Sequence, residues 1–307
     1  MTDKKLITVF GATGNQGGSV VQTFLHDAKL KNEWSVRGVT RDVPRTHLRS
    51  SPPKVSMSSR PILNDKASIV EALKGAYAVF AVTNYWEKMD DKLEVQQGKN
   101  LADAAKEADV KFLIWSSLYN VNKLSKGALP HVYNFDSKAT VEEYIRELGI
   151  PAAFFMPGFY MSNLPGGDFR KSSDDNDDDT WNLGLPFPSK TQIPMYHPGD
   201  TGKYIKAMVL HQDAVLRQRF LAATAYMTGD EIVADFRELF PTKARYFELP
   251  KDAYLAALTG AGLPDFGAEE LYENMRLMSD FSYYGGDSLD WTHGLVEDPP
   301  DDLEGVR

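Results

Sequence analysis

The sequence contains no cysteine among its 307 residues. This absence excludes disulfide bonds, thiolate metal sites and a cysteine nucleophile, so any redox chemistry needs a bound cofactor. The sequence also lacks an apolar run long enough to span a membrane and a basic leader followed by an apolar segment. Residence in the cytoplasm, or also in the nucleus, is therefore the default expectation.

Acidic and basic residues are distributed unevenly. The net charge is −9 overall, but residues 1–150 sum to +4 and residues 151–307 to −13. Because phosphate repels an acid-rich half, we expect no direct contact with nucleic acid, and we expect none with a membrane. We therefore expect the protein to bind a small-molecule substrate or a protein partner.

Metal sites find little support in the sequence. The acidic runs 174–179 and 297–302 lack the glycine and the terminal glutamate of a calcium loop, and we interpret them as solvated, mobile segments. The six histidines show no metal-binding spacing. No metal site is therefore predicted.

A glycine-rich turn near the N-terminus is the most informative motif. An apolar strand over residues 6–10 runs into three glycines spaced G-x-x-G-x-x-G, and an amphipathic helix pattern follows. This context predicts a dinucleotide-binding turn, in which the glycines allow a tight turn, close approach to a pyrophosphate and helix packing on the strand. An ordinary glycine-rich loop is the alternative. The predicted cofactor contacts are Gly11, Thr13, Gly14, Asn15, Gln16 and Gly17.

The second predicted strand does not end on an acidic residue, although a carboxylate at that point would hold the ribose 2′-hydroxyl of NAD. The chain has Thr40 and Arg41 there, and six basic residues against one acid over residues 37–60. Guanidinium groups make planar, bidentate contacts with phosphate. The pattern therefore favours NADP(H), with Arg41 on the 2′-phosphate and Arg45 beside it. A solvated basic loop is the alternative.

Strand and helix patterns alternate along residues 1–150, which predicts an α/β Rossmann domain with a doubly wound parallel sheet. Residues 151–307 are predicted to form a smaller α+β lobe for substrate or partner, with an irregular acidic insertion at 165–190. The predicted strands are 6–10, 34–40, 55–63, 76–83, 111–116, 151–156, 219–223 and 244–249. The predicted helices are 17–28, 66–73, 92–108, 137–148, 200–211, 228–239, 251–259 and 268–284.

Polar and aromatic residues follow the fourth and fifth predicted strands. Cofactor and substrate meet at the carboxyl ends of the strands in such a sheet. The cofactor contacts predicted here are Thr83, Asn84, Tyr85 and Ser116. A pocket for a bulky, apolar or aromatic small molecule is predicted from Trp86, Phe159, Tyr160 and Asn163.

The chain resembles the short-chain dehydrogenase/reductase superfamily and, within it, the atypical NmrA-like family. The similarity covers nearly the whole chain, and Thr-Asn-Tyr-Trp at 83–86 is its most specific stretch. The resemblance implies NADP(H) as cofactor and a site in which a serine orients the substrate, a tyrosine transfers a proton and a lysine holds the ribose. It assigns Lys138 to the ribose and, with Ser117, to catalysis. Further matches lie at 9–20, 40–41, 75–78, 97–99, 134–138, 141–144 and 163–164.

The tyrosine of that pattern is missing. Asn134 stands four residues before Lys138, and Tyr133 stands five before it, displaced by about 100° on a helix. Family members without this tyrosine are often regarded as cofactor sensors. Tyr119, two residues beyond Ser117, stands where close relatives carry glutamate and is a candidate proton donor. Packing under a loop is the alternative.

Two functions are consistent with these residues. The favoured one is an NADPH-dependent oxidoreductase, or a cofactor-assisted enzyme, that acts on an aromatic or heterocyclic small molecule with Lys138, Tyr119 and Ser117. The other is a non-catalytic NADP(H) redox sensor that regulates a protein partner.

Overall fold

Strands and helices alternate along the chain in the computed structural model, which describes residues 4–40, 55–59, 63–164, 169–172 and 180–301. The strands in these ranges are β1 (Lys5–Phe10), β2 (Trp34–Thr40), β3 (Val55–Ser59), β4 (Ala78–Ala81), β5 (Phe112–Ser116), β6 (Ala152–Pro157), β7 (Phe159–Tyr160), β8 (Phe169–Lys171), β9 (Thr180–Leu185), β10 (Ile193–Tyr196), β11 (Arg219–Ala222), β12 (Ala225–Met227) and β13 (Lys243–Glu248). The helices are α1 (Asn15–His26), α2 (Leu30–Glu33), α3 (Lys66–Leu73), α4 (Asp91–Glu107), α5 (Val121–Leu124), α6 (Tyr133–Leu148), α7 (Thr201–Leu210), α8 (Gln212–Val215), α9 (Gly229–Leu239), α10 (Lys251–Gly260), α11 (Asp265–Phe281) and α12 (Asp290–His293).

Seven parallel strands form the central sheet in the order β11-β6-β5-β4-β1-β2-β3. The strand order reverses between β1 and β4, which opens a crevice at the carboxyl ends of these strands. Strands β4, β5 and β6 are buried on both faces, as expected where helices cover a parallel sheet on both sides. The predicted Rossmann fold is confirmed.

The central sheet extends beyond the boundary predicted at residue 150. Strands β6 and β11 both come from the second half of the chain, and β11 pairs with β6 from Arg219↔Phe154 to Ala222↔Pro157. The nucleotide-binding domain therefore includes residues of the predicted second lobe, because its sheet continues past that boundary.

Two small three-stranded sheets complete the second lobe, in the orders β12-β10-β7 and β13-β9-β8. The predicted irregular insertion at 165–190 therefore contains regular strands. Strand β9 pairs with β13 over six residues, from Thr180↔Lys243 to Leu185↔Glu248. A partner about 60 residues away leaves no mark in local periodicity, which is why the prediction was wrong here. The acidic residues 174–179 lie outside the described residues.

Side chains cap the starts of two helices. The side chain of Asp65 caps α3 by accepting hydrogen bonds from the backbone of Ala67 and Ser68. Thr228 and Glu231 form a capping box at the start of α9. Helix α6 begins at Tyr133, four residues before the predicted start.

No helix in the described ranges combines the length and apolar composition needed to cross a bilayer.

Helices α1 and α7 pack at very short range. A Cβ atom at Gly202 would lie 2.6 Å from the Ser19 carbonyl oxygen and 2.7 Å from the Thr23 Cβ. The Gly202 N–H also donates to the Ser19 hydroxyl at 2.9 Å. Only glycine therefore fits at this contact between the first crossover helix and the second lobe.

The acidic segment near the C-terminus is bound to this pair of helices. Lys206 of α7 contacts Asp27 and Asp298, each at 2.7 Å, and Lys203 contacts Asp301 at 2.7 Å. Lys29 contacts Glu297 at 2.6 Å. The prediction of a mobile tail was therefore wrong for residues 297–301, because lysines of α7 and of the segment after α1 neutralise its carboxylates.

Candidate dinucleotide crevice and its surroundings

The turn between β1 and α1 has the shape of an anion cradle. Gly11 has φ +66°, and the Gly14 N–H donates to the Gly11 carbonyl at 2.8 Å. Helix α1 has no side-chain cap and no acid in its first turn, so its first N–H groups and positive dipole end face the crevice. Thr13 and Asn15 are exposed beside them. These contacts suit a pyrophosphate.

Gln16 connects this turn to two other strands. Its Nε2 donates to the Tyr160 hydroxyl at 2.6 Å, and its Oε1 accepts from the Ser116 hydroxyl at 3.0 Å. The structure thus brings together predicted residues from the glycine turn, the end of β5 and β7. Burial raises the pKa of the Tyr160 phenol to about 12, although the hydrogen bond from Gln16 lowers it. Tyr160 therefore stays protonated at neutral pH.

The end of β2 is linked to the turn by a hydroxyl pair. Thr13 and Thr40 share a hydrogen bond of 2.8 Å. Arg37 is not available to a phosphate, because its guanidinium donates to the backbone carbonyls of Ala72 and Lys74, each at 2.8 Å. The predicted 2′-phosphate ligands Arg41 and Arg45 lie outside the described residues.

Lys138 is paired with a buried carboxylate that the sequence analysis did not single out. Its Nζ contacts Glu94 at 2.5 Å, with side chains that are 11% and 2% exposed. Thr83 donates to the same carboxylate at 2.6 Å, and the Ser137 hydroxyl donates to its other oxygen. Predicted cofactor residues Thr83 and Lys138 thus meet at Glu94, which fixes the lysine beside the carboxyl end of β4.

A second buried carboxylate, Glu270 of α11, binds the segment after β4. It accepts hydrogen bonds from the Tyr85 hydroxyl and the Asn134 backbone N–H, each at 2.7 Å. Burial raises the pKa of Glu270 to about 7, although these two hydrogen bonds lower it. The pKa of Tyr85 is raised well above its ordinary range by burial and by Glu270. The Tyr85 hydroxyl is therefore turned toward α11.

Glu270 is expected to make stability fall as pH rises. The unfolded chain loses this proton near pH 4.5, whereas the folded chain keeps it to about pH 7, so the folded state loses about 3 kcal/mol across this window. Glu270→Gln removes the ionisation. We expect the variant to gain stability relative to the wild type as pH rises from 5 to 8, measured as melting temperature at each pH.

Glu107→Gln is the matched control for this prediction. Glu107 forms an exposed ion pair with Lys66 at 2.9 Å, so its loss is expected to shift the melting temperature little and equally at both pH values. A Glu270→Gln variant whose difference from the wild type is constant from pH 5 to 8 would contradict the prediction.

The three predicted catalytic residues are not brought together. Ser117 donates to the buried carboxylate of Glu142 at 2.8 Å, and the Tyr119 hydroxyl donates to Asp287. Lys138 instead faces Glu94. Because successive residues after β5 point to opposite sides, Ser116 faces the dinucleotide turn and Ser117 does not.

The remaining predicted residues lie on the rim or in the core. Asn84 and Trp86 are exposed around the 3₁₀ turn after β4, and the Trp86 ring lies 5.2 Å from that of Tyr85. Asn163 is exposed. Phe159 is only 6% exposed, so it offers little surface to a substrate.

The burial of Glu94 could have been inferred from the sequence. Glu94 continues the buried positions Gly98, Leu101, Ala102 and Ala105 along α4, with the spacing of one helix face. An acidic residue on an apolar helix face is seldom buried without a partner. The mismatch between a charged side chain and an apolar face therefore indicates, from the sequence alone, that Glu94 has a polar partner.

One group with metal-like composition lies at the start of α7. His197, Asp200 and Asp301 bring potential ligand atoms within 4.8 Å of one another. The Lys203 ammonium already contacts both carboxylates, each at 2.7 Å. This group therefore serves to hold the C-terminal segment.

Comparison with known proteins agrees with the fold. The family model described as NmrA-like matches residues 3–299. The NmrA-like family domain-containing oxidoreductase malD of Malbranchea aurantiaca is 29% identical over 265 residues, covering 81% of this chain and 76% of that protein.

Two solved structures share the whole architecture. NmrA, described as a negative transcriptional regulator in complex with NADP, has a TM-score of 0.77 at 22% identity, with 97% of this chain and 93% of that chain covered. The Citrobacter sp. triphenylmethane reductase complexed with NADP(H) has a TM-score of 0.74 at 18% identity, with 98% of each chain covered.

Proposed function

Because the chain belongs to the NmrA-like family, we propose that it binds NADP(H) at the β1–α1 turn and reduces an aromatic or heterocyclic small molecule. The observation that carries this proposal is the hydrogen-bonded series Ser116–Gln16–Tyr160 beside the open N-terminus of α1. It joins the cofactor turn to an aromatic side chain that has a transferable proton.

The described residues fit the cofactor. The uncapped start of α1 would receive the pyrophosphate. Thr40 and Arg41, rather than a carboxylate, stand at the end of β2, which favours a phosphorylated ribose. Thr83 and Lys138, fixed by Glu94, lie at the carboxyl end of β4, where the nicotinamide ribose is expected. Bound NADPH would supply a hydride at this edge of the sheet.

Tyr160 takes the role of proton donor in this proposal. Its hydroxyl oxygen accepts a hydrogen bond from Gln16, and within the described ranges nothing accepts the hydroxyl proton. That proton is therefore free for a substrate oxygen or nitrogen that gains negative charge on hydride addition. Tyr119, the donor predicted from the sequence, is held by Asp287 instead.

The relatives support an aromatic substrate. The triphenylmethane reductase acts, by its description, on a triphenylmethane compound with NADP(H), and the relative malD is described as an oxidoreductase. In this chain Tyr160 and the exposed Trp86 offer aromatic surface near the crevice.

A substrate panel tests the proposal. The absorbance of NADPH is followed with quinones, aromatic ketones and aromatic imines as acceptors, and NADH serves as the matched control cofactor. We expect NADPH to be consumed with at least one acceptor class, and at least tenfold faster than NADH at equal concentration, because the residue directly after β2 is arginine. Equal rates with both cofactors would contradict the cofactor assignment.

A non-catalytic sensor is the second candidate. Lys138 is neutralised by Glu94, and the position four residues before it is Asn134, so the usual tyrosine–lysine couple is absent. NmrA itself is described as a negative transcriptional regulator. Tight NADP(H) binding without turnover of any acceptor, together with cofactor-dependent association with a protein, would favour the sensor.

A further inference from the structure

A cleft of about 890 Å³ lies at the β11 edge of the central sheet. It is bounded by the second half of α6, the start of β11 and the turn before α12, and its lining includes Tyr119, Arg146, Arg217, Arg219, Asp287 and Trp291. Strand β11 lies four strand positions from β1, a separation of roughly 19 Å at the usual strand spacing. The cleft is thus separate from the dinucleotide turn.

The cleft carries an excess of positive charge. Of its carboxylates, Glu142 is 1% exposed and already accepts hydrogen bonds from Ser117, Arg146 and Arg219. Asp287 accepts the Tyr119 hydroxyl proton. Three guanidinium groups therefore face two carboxylates that are already engaged.

Arg217 is the guanidinium available to a ligand. In the part of the chain that the structure describes, its side chain makes no hydrogen bond and no ion pair. Its backbone has φ +66°, which is uncommon for a residue other than glycine. It is held there because its N–H donates to Ala152 at 2.6 Å and its carbonyl accepts from Arg146 at 2.8 Å. The side chain therefore leaves the backbone at a fixed point on the cleft wall.

Aromatic rings form another part of the lining. Trp291 is 44% exposed, and its ring lies 5.8 Å from that of Phe220, which supports it from β11. The Arg219 guanidinium lies 4.5 Å from the Tyr119 ring centroid. An exposed, supported indole offers a stacking surface to a flat ligand.

We propose that this cleft binds a small organic anion that carries a planar ring and one carboxylate or phosphate group. Arg217 makes the bidentate contact with the anionic group, as planar guanidinium groups do with such oxyanions, and Trp291 stacks on the ring. The volume is within the range of sites for small molecules. The site is additional to the crevice proposed for NADP(H) and its substrate.

Calorimetric titration of the whole chain tests the proposal with two probes, anthranilate for the carboxylate and phenyl phosphate for the phosphate. We expect at least one of them to bind with a Kd of about 1 mM or below. Inorganic phosphate and benzyl alcohol, which carry only the charge or only the ring, are expected to bind at least tenfold more weakly. Failure of both aromatic anions to bind, or equal binding of either partial probe, overturns the proposal.

Arg217→Gln is expected to raise the Kd of the aromatic anion at least tenfold. The matched control is Lys243→Gln, which removes one exposed positive charge from the β13 sheet and is expected to change Kd by less than twofold. Unchanged binding in Arg217→Gln, or an equal loss in both variants, overturns the assignment.

Titration with and without saturating NADPH is expected to give the same Kd, and competition between the two ligands would place the anion in the crevice instead.

Discussion

Gly17→Ala is expected to weaken NADPH binding at least 100-fold, which corresponds to about 2.8 kcal/mol. A Cβ atom at residue 17 would lie 2.6 Å from the Gly11 carbonyl carbon and 2.7 Å from the Phe10 carbonyl oxygen. Both atoms are backbone and cannot rotate away, so β1 and α1 must separate. The N–H groups at the start of α1 then no longer converge on the pyrophosphate. Fluorescence titration with NADPH measures the loss.

Gly18→Ala is the matched control for this effect. A Cβ atom at residue 18 would lie 3.7 Å from the Ala12 carbonyl oxygen, an ordinary contact, and alanine is the better helix former. We expect its Kd for NADPH to stay within twofold of the wild type. Equal losses in the two variants, or no loss in Gly17→Ala, would show that close packing at residue 17 does not shape the cofactor site.

Tyr160→Phe is expected to lower kcat by about 100-fold or more, in the range typical of a lost general acid. The substitution keeps the ring that packs 5.4 Å from Tyr196 and removes only the hydroxyl that Gln16 positions. Because the phenol pKa is about 12, wild-type kcat is expected to show no ionisation of this group below pH 9. Steady-state kinetics with the best acceptor of the panel measure both effects.

Tyr119→Phe separates the two candidate tyrosines. The Tyr119 hydroxyl is bound to Asp287 at the β11 edge, so its removal is expected to leave kcat within about threefold. Loss of turnover in Tyr119→Phe with normal turnover in Tyr160→Phe would reverse the assignment and restore the donor predicted from sequence. Unchanged NADPH affinity in both variants is required for this comparison.

Local patterns were sufficient for the sheet core. Strand β2 and helix α3 begin and end at the predicted residues, because each has a clear hydrophobic period and, in α3, the capping residue Asp65. Strand β9 was missed because its stability comes from β13, far along the chain. The place of β11 in the central sheet was also missed, because β11 pairs with β6, which lies far away in the sequence.

The parts of the site that depend on backbone geometry were predictable from the sequence. The parts that depend on which side chains contact each other were less so. Spacing alone located the glycine turn, whose shape follows from backbone geometry. The orientation of Ser117 depends on Glu142 and that of Tyr119 on Asp287, 168 residues away. Such partners are determined by tertiary packing. The catalytic roles of Lys138 and Ser117 therefore stay predictions, and Tyr160 is proposed as the proton donor in place of Tyr119.

The contact at Gly202 also restricts how the two halves of the molecule can move. Because residue 202 has no side chain, the α7 backbone packs directly against Ser19 and Thr23 of α1, and a hinge motion between these two helices would break this close contact. The anion cradle at the front of α1 is thus rigidly attached to the lobe behind it. A ligand at the cradle therefore meets a surface whose position relative to the second lobe is set by this helix contact.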